Sequence, residues 1–473
     1  MNNLRHRNEL FARAARRAGE FLDTLPDRPV RPSASFAQVR AALARPLPES
    51  GLDPGDAIEA LARGADAGLV ASAGPRYFGF VIGGSLPAAL AADWLTAAWD
   101  QNGAIAAASP AATAVEDIVA GWILDLLGLP ATATVGFVTG CQMANFVGLA
   151  AARHAVLARA GWDVEEHGLA GAPSVVVLVS EEAHATILSA LRMLGLGSGR
   201  ARRVATDGQG RLRADDLRRA LASVDGPTII CAQAGNVNTG AFDPVAEIAD
   251  AAHERGAWLH VDGAFGLWAA SCPSRRALTR GTAAADSWAT DAHKWLNVPY
   301  DSGLAIVRDG AVHRASMLKR AAYLVPAAGA DRDNHDFTPE SSRRARGFAL
   351  YAALLSLGRR GLADLVESRC ALASRMAERL RPGPHIRILN EVVLNQVLVR
   401  FEPPGRDADA CTREVIGRVQ RDGTCWAGPT HWHGMDAMRI SVSGWSTTET
   451  DIDRSAETIL RVARTVAGAN PGG

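Results

Sequence analysis

The sequence predicts an α/β protein with a mostly parallel central sheet carrying helices on both faces, an N-terminal helical arm and a smaller C-terminal α+β domain. Three observations predict it. Short β-branched runs alternate with helical periodicity from residue 112 to about 308. Residues 4–25 form one amphipathic helical pattern, followed by the Pro-rich "PDRPVRPSAS" (26–35). After about residue 345 the texture changes to a long helix and then mixed strands and helices. The corresponding division is 1–95 for the arm and dimerisation segment, 96–345 for the large α/β domain and 346–473 for the small domain.

The stretch 26–35 is read as extended, because each proline disfavours helix at the residue before it. Such an arm can pack on its own domain or on a partner subunit. Residues 54–72 read as a further helix, and "GPRYFGFVIGG" (74–84) as a loop rich in Gly and aromatics. A helix is expected at 112–128, a strand within "TATVGFVTG" (132–140), and an Ala-rich helix at 142–160. "SVVVLVS" (174–180) is a run of the kind buried on both faces of a parallel sheet. "PTIICAQAG" (227–235) and "AWLHVDGAF" (257–265) share its texture, with helical segments at 184–195, 214–224 and 244–255 between the runs. This alternation implies right-handed βαβ units. "DSWATDAH" and "SGLAIVR" (302–308) add two strands. A helix over 345–380, interrupted near "LGRRG" (357–361), leads into "IRILN" (386–390), "NQVLVRF" (395–401), a helix near 407–421, "MRISVSG" (438–444) and a last helix at 448–467.

Composition narrows the function class. The chain has 473 residues, 48% hydrophobic and 21% charged, which is ordinary for a globular protein. Lys+Arg and Asp+Glu are both 50, a formal net charge of zero, which argues against a broad surface for nucleic acid or anionic membrane. The six cysteines, Cys141, Cys231, Cys272, Cys370, Cys411 and Cys425, include no CxxC pair and suit a reducing, cytoplasmic setting. The first 25 residues are charged and helix-periodic without an apolar h-region, so they are read as an amphipathic helix and not as a secretory signal. No run of 18 apolar residues suggests a membrane span. "THWHG" (430–434) with Cys425 offers three metal-ligand types without a fourth, short of a zinc pattern.

Parallel α/β sheets bind ligands outside the carboxyl ends of their strands. There the sequence places "TGCQMAN" (139–145), Glu182 and His184, Gln233 with Gly235 and Asn236, Asp262, and Lys294. "TGCQMAN" offers free N–H groups at a helix start, with Gly140 allowing close approach, which is a phosphate seat. Lys294 stands among aromatic, small and apolar residues, with no basic residue nearer than Arg280 or Arg308 apart from His293. A desolvated lysine is expected to have a lowered pKa and to serve as a nucleophile. A phosphate seat, a histidine at ring height, an acid and an imine-forming lysine are together what pyridoxal 5'-phosphate requires.

These residues resemble the group II pyridoxal-phosphate-dependent amino-acid decarboxylases, the family of aromatic-amino-acid, glutamate and diaminobutyrate decarboxylases. "HKW" (293–295) is similar to the family's lysine motif, "HVDGAFG" (260–266) to HVDAA, "SEEAHATI" (180–187) to SxxAHxS, and "TGCQMANFVGLAAAR" (139–153) to the phosphate loop and its helix. The resemblance implies the fold type I architecture and decarboxylation of an L-amino acid to its amine and CO2 through a Schiff base on Lys294. It implies Asp262 as partner of the pyridine nitrogen, Ala264 as packing against the ring, and His184 as the stacking histidine. Cys141 and Gln142 match phosphate-binding positions, with His293 and Ser287 as further phosphate contacts and Asn236 near the position of a family threonine. "GPRYFGFVIGGSLPAALAADWL" is similar to the HPxFF segment and puts Tyr77 and Phe78 in the substrate pocket. The N-terminal arm resembles the swapped arm of an interlocked homodimer.

Two departures bear on chemistry. Cys141 and Gln142 stand where the family has Gly or Ala followed by Ser or Thr, so a hydroxyl contact is lost while backbone contacts survive. In the family a mobile-loop tyrosine returns a proton to the substrate carbon, but "DRDNHDF" (331–337) contains none. His335 is the replacement acid expected there, with Tyr323 further upstream. Loss of that tyrosine opens the alternative of oxidative deamination to an aldehyde; transamination and aldol cleavage are the other cofactor-sharing alternatives. Arg439 in "MRISVSG" is read either as a carboxylate partner or as a surface cation.

Overall fold

The computed structural model describes residues 2–318 and 332–468. Its centre is a seven-stranded sheet of β1 (Thr134–Val138), β2 (Val176–Ser180), β3 (Arg202–Val204), β4 (Thr228–Gln233), β5 (Trp258–Asp262), β6 (Ser287–Asp291) and β7 (Gly303–Val307), in the order β1-β7-β6-β5-β4-β2-β3. All neighbours run parallel except at β7, which is antiparallel to both β1 and β6. The reversal follows from the short connection after β6: residues 292–302 carry no helix, so the chain can only return alongside in the opposite sense.

Both faces are covered, as the continuous apolar runs require. Alternate residues of one strand enter opposite cores: Ile230 and Ala232 of β4 point into one cluster, Ile229 and Cys231 into the other. The helices of this part are α5 (Pro110–Leu127), α6 (Cys141–Arg159), α7 (Val164–His167), α8 (Ala185–Met193), α9 (Ala214–Ala222), α10 (Val245–Glu254) and α11 (Gly310–Met317). Ahead of them stand α1 (Asn2–Thr24), α2 (Phe36–Leu43), α3 (Pro54–Asp66) and α4 (Pro87–Trp99). Helix α2 directly follows the Pro-rich stretch and is started by a capping box, with Ser35 and Gln38 exchanging backbone-to-side-chain bonds. Pro87 opens α4 at a position that needs no N–H donor, and α4 packs on the long helix α12 (Gly347–Leu380). Helix α4 therefore crosses the boundary expected at residue 95.

Helix α12 is broken at Gly358, whose φ of 61° and ψ of −179° leave the helical region, inside the interruption expected at 357–361. The small domain that follows is a four-stranded antiparallel sheet, β10-β11-β9-β8, built from β8 (Ile386–Ile388), β9 (Gln396–Phe401), β10 (Gly428–Trp432) and β11 (Met435–Ser441). It is covered by α12, α13 (Ala408–Asp422) and α14 (Glu449–Gly468). "THWHG" is the β10–β11 hairpin, with His433 and Gly434 at φ 47° and 78°. The Pro-rich stretch packs on this domain of its own chain: Val30 is buried and donates its N–H to Gly423. Buried Arg76 fastens the same junction, bonding Pro26, Thr424 and Asp451. Among the described residues no helix is long and apolar enough to cross a membrane.

Candidate active site

Five strand ends converge at the start of α6. Gly303 on β7 makes the approach possible, since a Cβ there would overlap the backbone of Gly140. A Cβ on Gly140 would in turn stand 3.0 Å from the His293 ring. Lys294 follows β6 and its Nζ lies 2.8 Å from Oδ2 of Asp291, which is buried. The other Asp291 oxygen accepts the Cys141 N–H at 2.6 Å and lies 3.4 Å from His293 Nε2. Burial alone would lower the Lys294 pKa, as the sequence leads one to expect, but the Asp291 carboxylate, with smaller help from Asp262, raises it above its ordinary value. Lys294 is thus an ammonium at neutral pH. Asp291 was not identified from the sequence; the signal was an acid at the end of an apolar strand, three residues before the lysine.

Asp262 ends β5 and is 4% exposed. Its Oδ1 accepts the Ala264 N–H at 3.2 Å and the Cys141 thiol at 3.4 Å; its Oδ2 accepts Asn145 Nδ2 at 3.2 Å. Burial, then Asp262 and Asp291, push the Cys141 thiol up, so it holds its proton. Asn145 also donates to Thr186 Oγ1 at 3.2 Å, and Thr186 stands 2.8 Å from His184 Nδ1. The Thr186 N–H points at the same ring nitrogen, at 3.4 Å. His184 Nδ1 is therefore an acceptor, and burial lowers its pKa and keeps the ring neutral with its proton on Nε2. Asn145 was missed too. It lies one turn inside an Ala-rich helix, four residues after Cys141 and on the same face.

Other expected residues fall into two groups. Gln142 is exposed in the first turn of α6, where it and Met143 have N–H groups without an intrahelical acceptor. Asn236 is buried, its Oδ1 taken by the Asn238 and Thr239 N–H groups and its Nδ2 without a hydrogen-bond partner among the described residues. Ser287 is a correction: it begins β6, at the far end of the strand from Lys294, and bonds Trp258 and His260 instead of facing the helix start. Phe78 is a second. It is 1% exposed inside the small-domain core, because 77–78 pair with Trp426 and Ser441, which turns it inward. His335 is buried beside β1, its backbone N–H bonded to Ala104 and its ring nitrogen 3.2 Å from Asp336. Tyr323 lies outside the described residues.

Tyr77 stacks on Trp426 at 5.1 Å, and Phe80 tilts on the same ring at 5.3 Å. Tyr300 lies 4.5 Å from the His293 ring, and its phenol is held up by burial while Lys294 pulls it down and Asp291 pushes it up. Tyr77 and Tyr300 lie close enough to act on each other, and burial first, then Tyr300, pushes Tyr77 to about 12. Arg439 on β11 is partly buried, carries no ion pair among the described residues, and depresses protonation of His184. Among the described residues no group of three or more His, Cys, Asp or Glu is placed to hold a metal ion. His431 pairs with Asp436 and His433 with Glu182.

A family model described as the pyridoxal-dependent decarboxylase conserved domain matches residues 40–402. The chain belongs to this family. Tryptophan decarboxylase 1 of Oryza sativa subsp. japonica is 29% identical over 427 residues, covering 84% of this chain and 82% of the relative. The 4-hydroxyphenylacetaldehyde synthase of Rhodiola rosea is 26% identical over 474 residues, 94% of this chain and 93% of the relative. A crystal structure of Oryza sativa TDC with PLP and tryptamine superposes with a TM-score of 0.91 at 25% identity, covering 98% of each chain. The protein is accordingly a pyridoxal-phosphate-dependent carboxy-lyase of fold type I that converts an amino acid to its amine and CO2. Its own residues fit that cofactor: a partly buried lysine amine, a buried acid, an Asn236 amide lacking a partner among the described residues, and a Gly140 cradle that a side chain would fill.

Proposed function

We propose that this decarboxylase acts on an aromatic L-amino acid, with Lys294 as the residue that binds the cofactor covalently. The observation that carries the substrate class is a set of rings that reaches Lys294 through Tyr300: Tyr77 stacked on Trp426, Phe80 on the same ring, and Tyr300, which acts on both Tyr77 and Lys294, against His293. Aromatic faces of this kind favour an aromatic side chain in offset or edge contact.

Pyridoxal phosphate, when bound, supplies the electron sink that accepts the Cα–carboxylate bonding pair as CO2 departs. The residues of this chain do the rest. Asp262 would hold a proton at the ring nitrogen, and neutral His184 would lie against the ring. The first-turn N–H groups of Gln142 and Met143, with His293, would hold the phosphate, and Asn236 and Ala264 would flank the ring. Cys141 serves Asp262 and Asp291 with its thiol and N–H. Arg439 would receive a substrate carboxylate, for which a partly buried cation without an ion pair among the described residues is suited. We assign the return of a proton to Cα to the Tyr300 hydroxyl in place of His335, whose ring is engaged by Asp336.

The test is CO2 release from a panel of L-amino acids. Tryptophan, tyrosine and phenylalanine are expected to show kcat/KM at least about tenfold above glutamate and 2,4-diaminobutyrate. A preference for an acidic side chain would overturn the aromatic reading in favour of Arg439 as its receptor.

A second reading is oxidative deamination to an aldehyde. The absence of tyrosine in 331–337 supports it, as does the likeness to a relative named as an aldehyde synthase. Aldehyde, ammonia and peroxide in place of the amine would establish it.

The enzyme works as a homodimer with the α1 arm laid on the partner. Exposed Phe11, Phe36, Trp94 and Trp99 on the helices that precede the sheet support this. Light scattering should give twice the chain mass, and removal of residues 1–25 should reduce it. Six unpaired thiols support a cytoplasmic location.

A further inference from the structure

Behind Asp262, on the side of the sheet covered by α6, side chains form one hydrogen-bonded line. Trp258 Nε1 lies 2.9 Å from Ser287 Oγ, which lies 2.8 Å from His260 Nδ1. His260 Nε2 lies 2.9 Å from Asn145 Oδ1, and Asn145 Nδ2 lies 3.2 Å from Asp262 Oδ2. Strand geometry sets it up: Trp258, His260 and Asp262 alternate onto one face of β5, and Ser287 is the register partner of His260 on β6. His260, Ser287 and Asn145 are fully buried, so water cannot replace any link.

Chemistry fixes the direction of every bond. An indole N–H can only donate, so Ser287 Oγ accepts from Trp258; at the other end an ionised Asp262 can only accept, so Asn145 turns Nδ2 to it and Oδ1 to His260 Nε2. Burial lowers the His260 pKa to about 4, so its ring is neutral; its single proton sits on Nε2, which faces the Asn145 oxygen, and Nδ1 accepts the Ser287 hydroxyl hydrogen. That proton goes to Asn145 Oδ1, which places the Asn145 amide hydrogens on Asp262 and on Thr186, the residue that orients His184. Every donor thus points toward the Asp262 carboxylate.

We propose that Trp258, Ser287, His260 and Asn145 form a one-way donor line that keeps Asp262 ionised and fixed, and through it holds the proton on the cofactor's ring nitrogen. His260 and Asn145 are positioning residues. The inference rests on the reading that Asp262 meets the ring nitrogen. A carboxylate that receives one donor fewer is more basic and competes for that proton. The groups facing Asp262 are Cys141 and Asn145 from α6, His184 ahead of α8, Cys231 on β4 and Lys294 after β6, with His260 behind Asn145.

The experiment is a pH titration of the visible absorption band of the cofactor-loaded enzyme, with kcat and KM measured on the same samples. His260→Leu and Ser287→Ala break the line at two separate links, so that one can be read if the other fails to fold. His260→Gln retains a donor and an acceptor and should rescue. The two breaking variants are expected to raise the midpoint of the band by about one pH unit, the equivalent of one hydrogen bond to a charged group. They should also lower kcat roughly tenfold with KM unchanged. A band midpoint identical to the parent's in both, with cofactor fully bound, would overturn the proposal. Asp262→Ala is measured alongside: if it also leaves the midpoint unmoved, the placement of Asp262 at the ring nitrogen fails, which is a different result from failure of the line alone.

Discussion

Asp291 grips Lys294 and the start of α6 at once: one carboxylate oxygen lies 2.8 Å from Lys294 Nζ and the other accepts the Cys141 N–H at 2.6 Å. The lysine that must act as a nucleophile is therefore held as an ammonium until its partner changes. Burial acts in the opposite direction on the same amine. Replacing Asp291 with Asn leaves burial unopposed by its largest counterweight, so the Lys294 pKa should fall. Cofactor capture requires the free amine. The pH at which the cofactor-free protein develops its visible band should consequently move down, with about tenfold more free amine at pH 7 for each unit of lowering. Stopped-flow absorbance against pH reads this directly, and an unmoved profile would remove Asp291 from control of the amine.

Two glycines hold the same corner by having no side chain. A Cβ at Gly83 would overlap the Lys294 carbonyl oxygen, and one at Gly303 would overlap Gly140. Both obstacles are backbone, which cannot rotate away. Gly83→Ala and Gly303→Ala should each cost about 1–3 kcal/mol in urea denaturation. Cofactor occupancy should fall with them, because each displaces part of the site. Gly121, with open space around its missing Cβ, is the control and should tolerate alanine.

Further from the chemistry, Arg343 and Glu116 form a two-pronged ion pair at 2.9 and 2.5 Å, both side chains at or below 1% exposure. Arg343 also reaches the Phe137 carbonyl on β1, so the pair ties the Arg-rich stretch before α12 to α5 and the sheet edge. Glu116→Ala strands a guanidinium in the core and should cost about 3–5 kcal/mol. The double variant Glu116→Leu with Arg343→Met removes both charges and should recover most of that loss. If the double variant is as unstable as the single, packing and not the lone charge is responsible.

Much of this arrangement was legible in the sequence because it is local. Strand-end residues such as Asp262 and Lys294 follow apolar runs whose period fixes where the strand stops, and the helix-start glycine follows in the same way. What was not legible depends on register and partner. Ser287 is a hydroxyl near Lys294 in sequence but at the opposite end of β6 in space, and Phe78 turns inward because Trp426 and Ser441, more than 340 residues later, pair with its backbone. Asn145 and Asp291 are ordinary as single letters. Their importance comes from groups on other elements that meet them in the buried interior, as does the raised pKa of Lys294.

The remaining question is which group returns a proton to the substrate carbon. Segment 331–337 carries no tyrosine, and His335 is engaged by Asp336 beside β1. Tyr300 offers a phenol against the His293 ring on the exposed side of Lys294, and partial burial, with Lys294 subtracting and Asp291 adding, shifts its pKa upward, so it holds its proton at neutral pH. Tyr300→Phe preserves the ring and removes only that proton. Loss of a positioned general acid typically costs about 10²–10⁴-fold, so amine formation should fall within that range. The carbanion left unprotonated is exposed to oxygen, so the share of aldehyde and peroxide among the products should rise. His335→Gln, made in parallel, should leave the amine-to-aldehyde ratio where it was. Product analysis by chromatography with a peroxide assay separates the two residues: a ratio that moves in His335→Gln and stays fixed in Tyr300→Phe would transfer the role to the histidine.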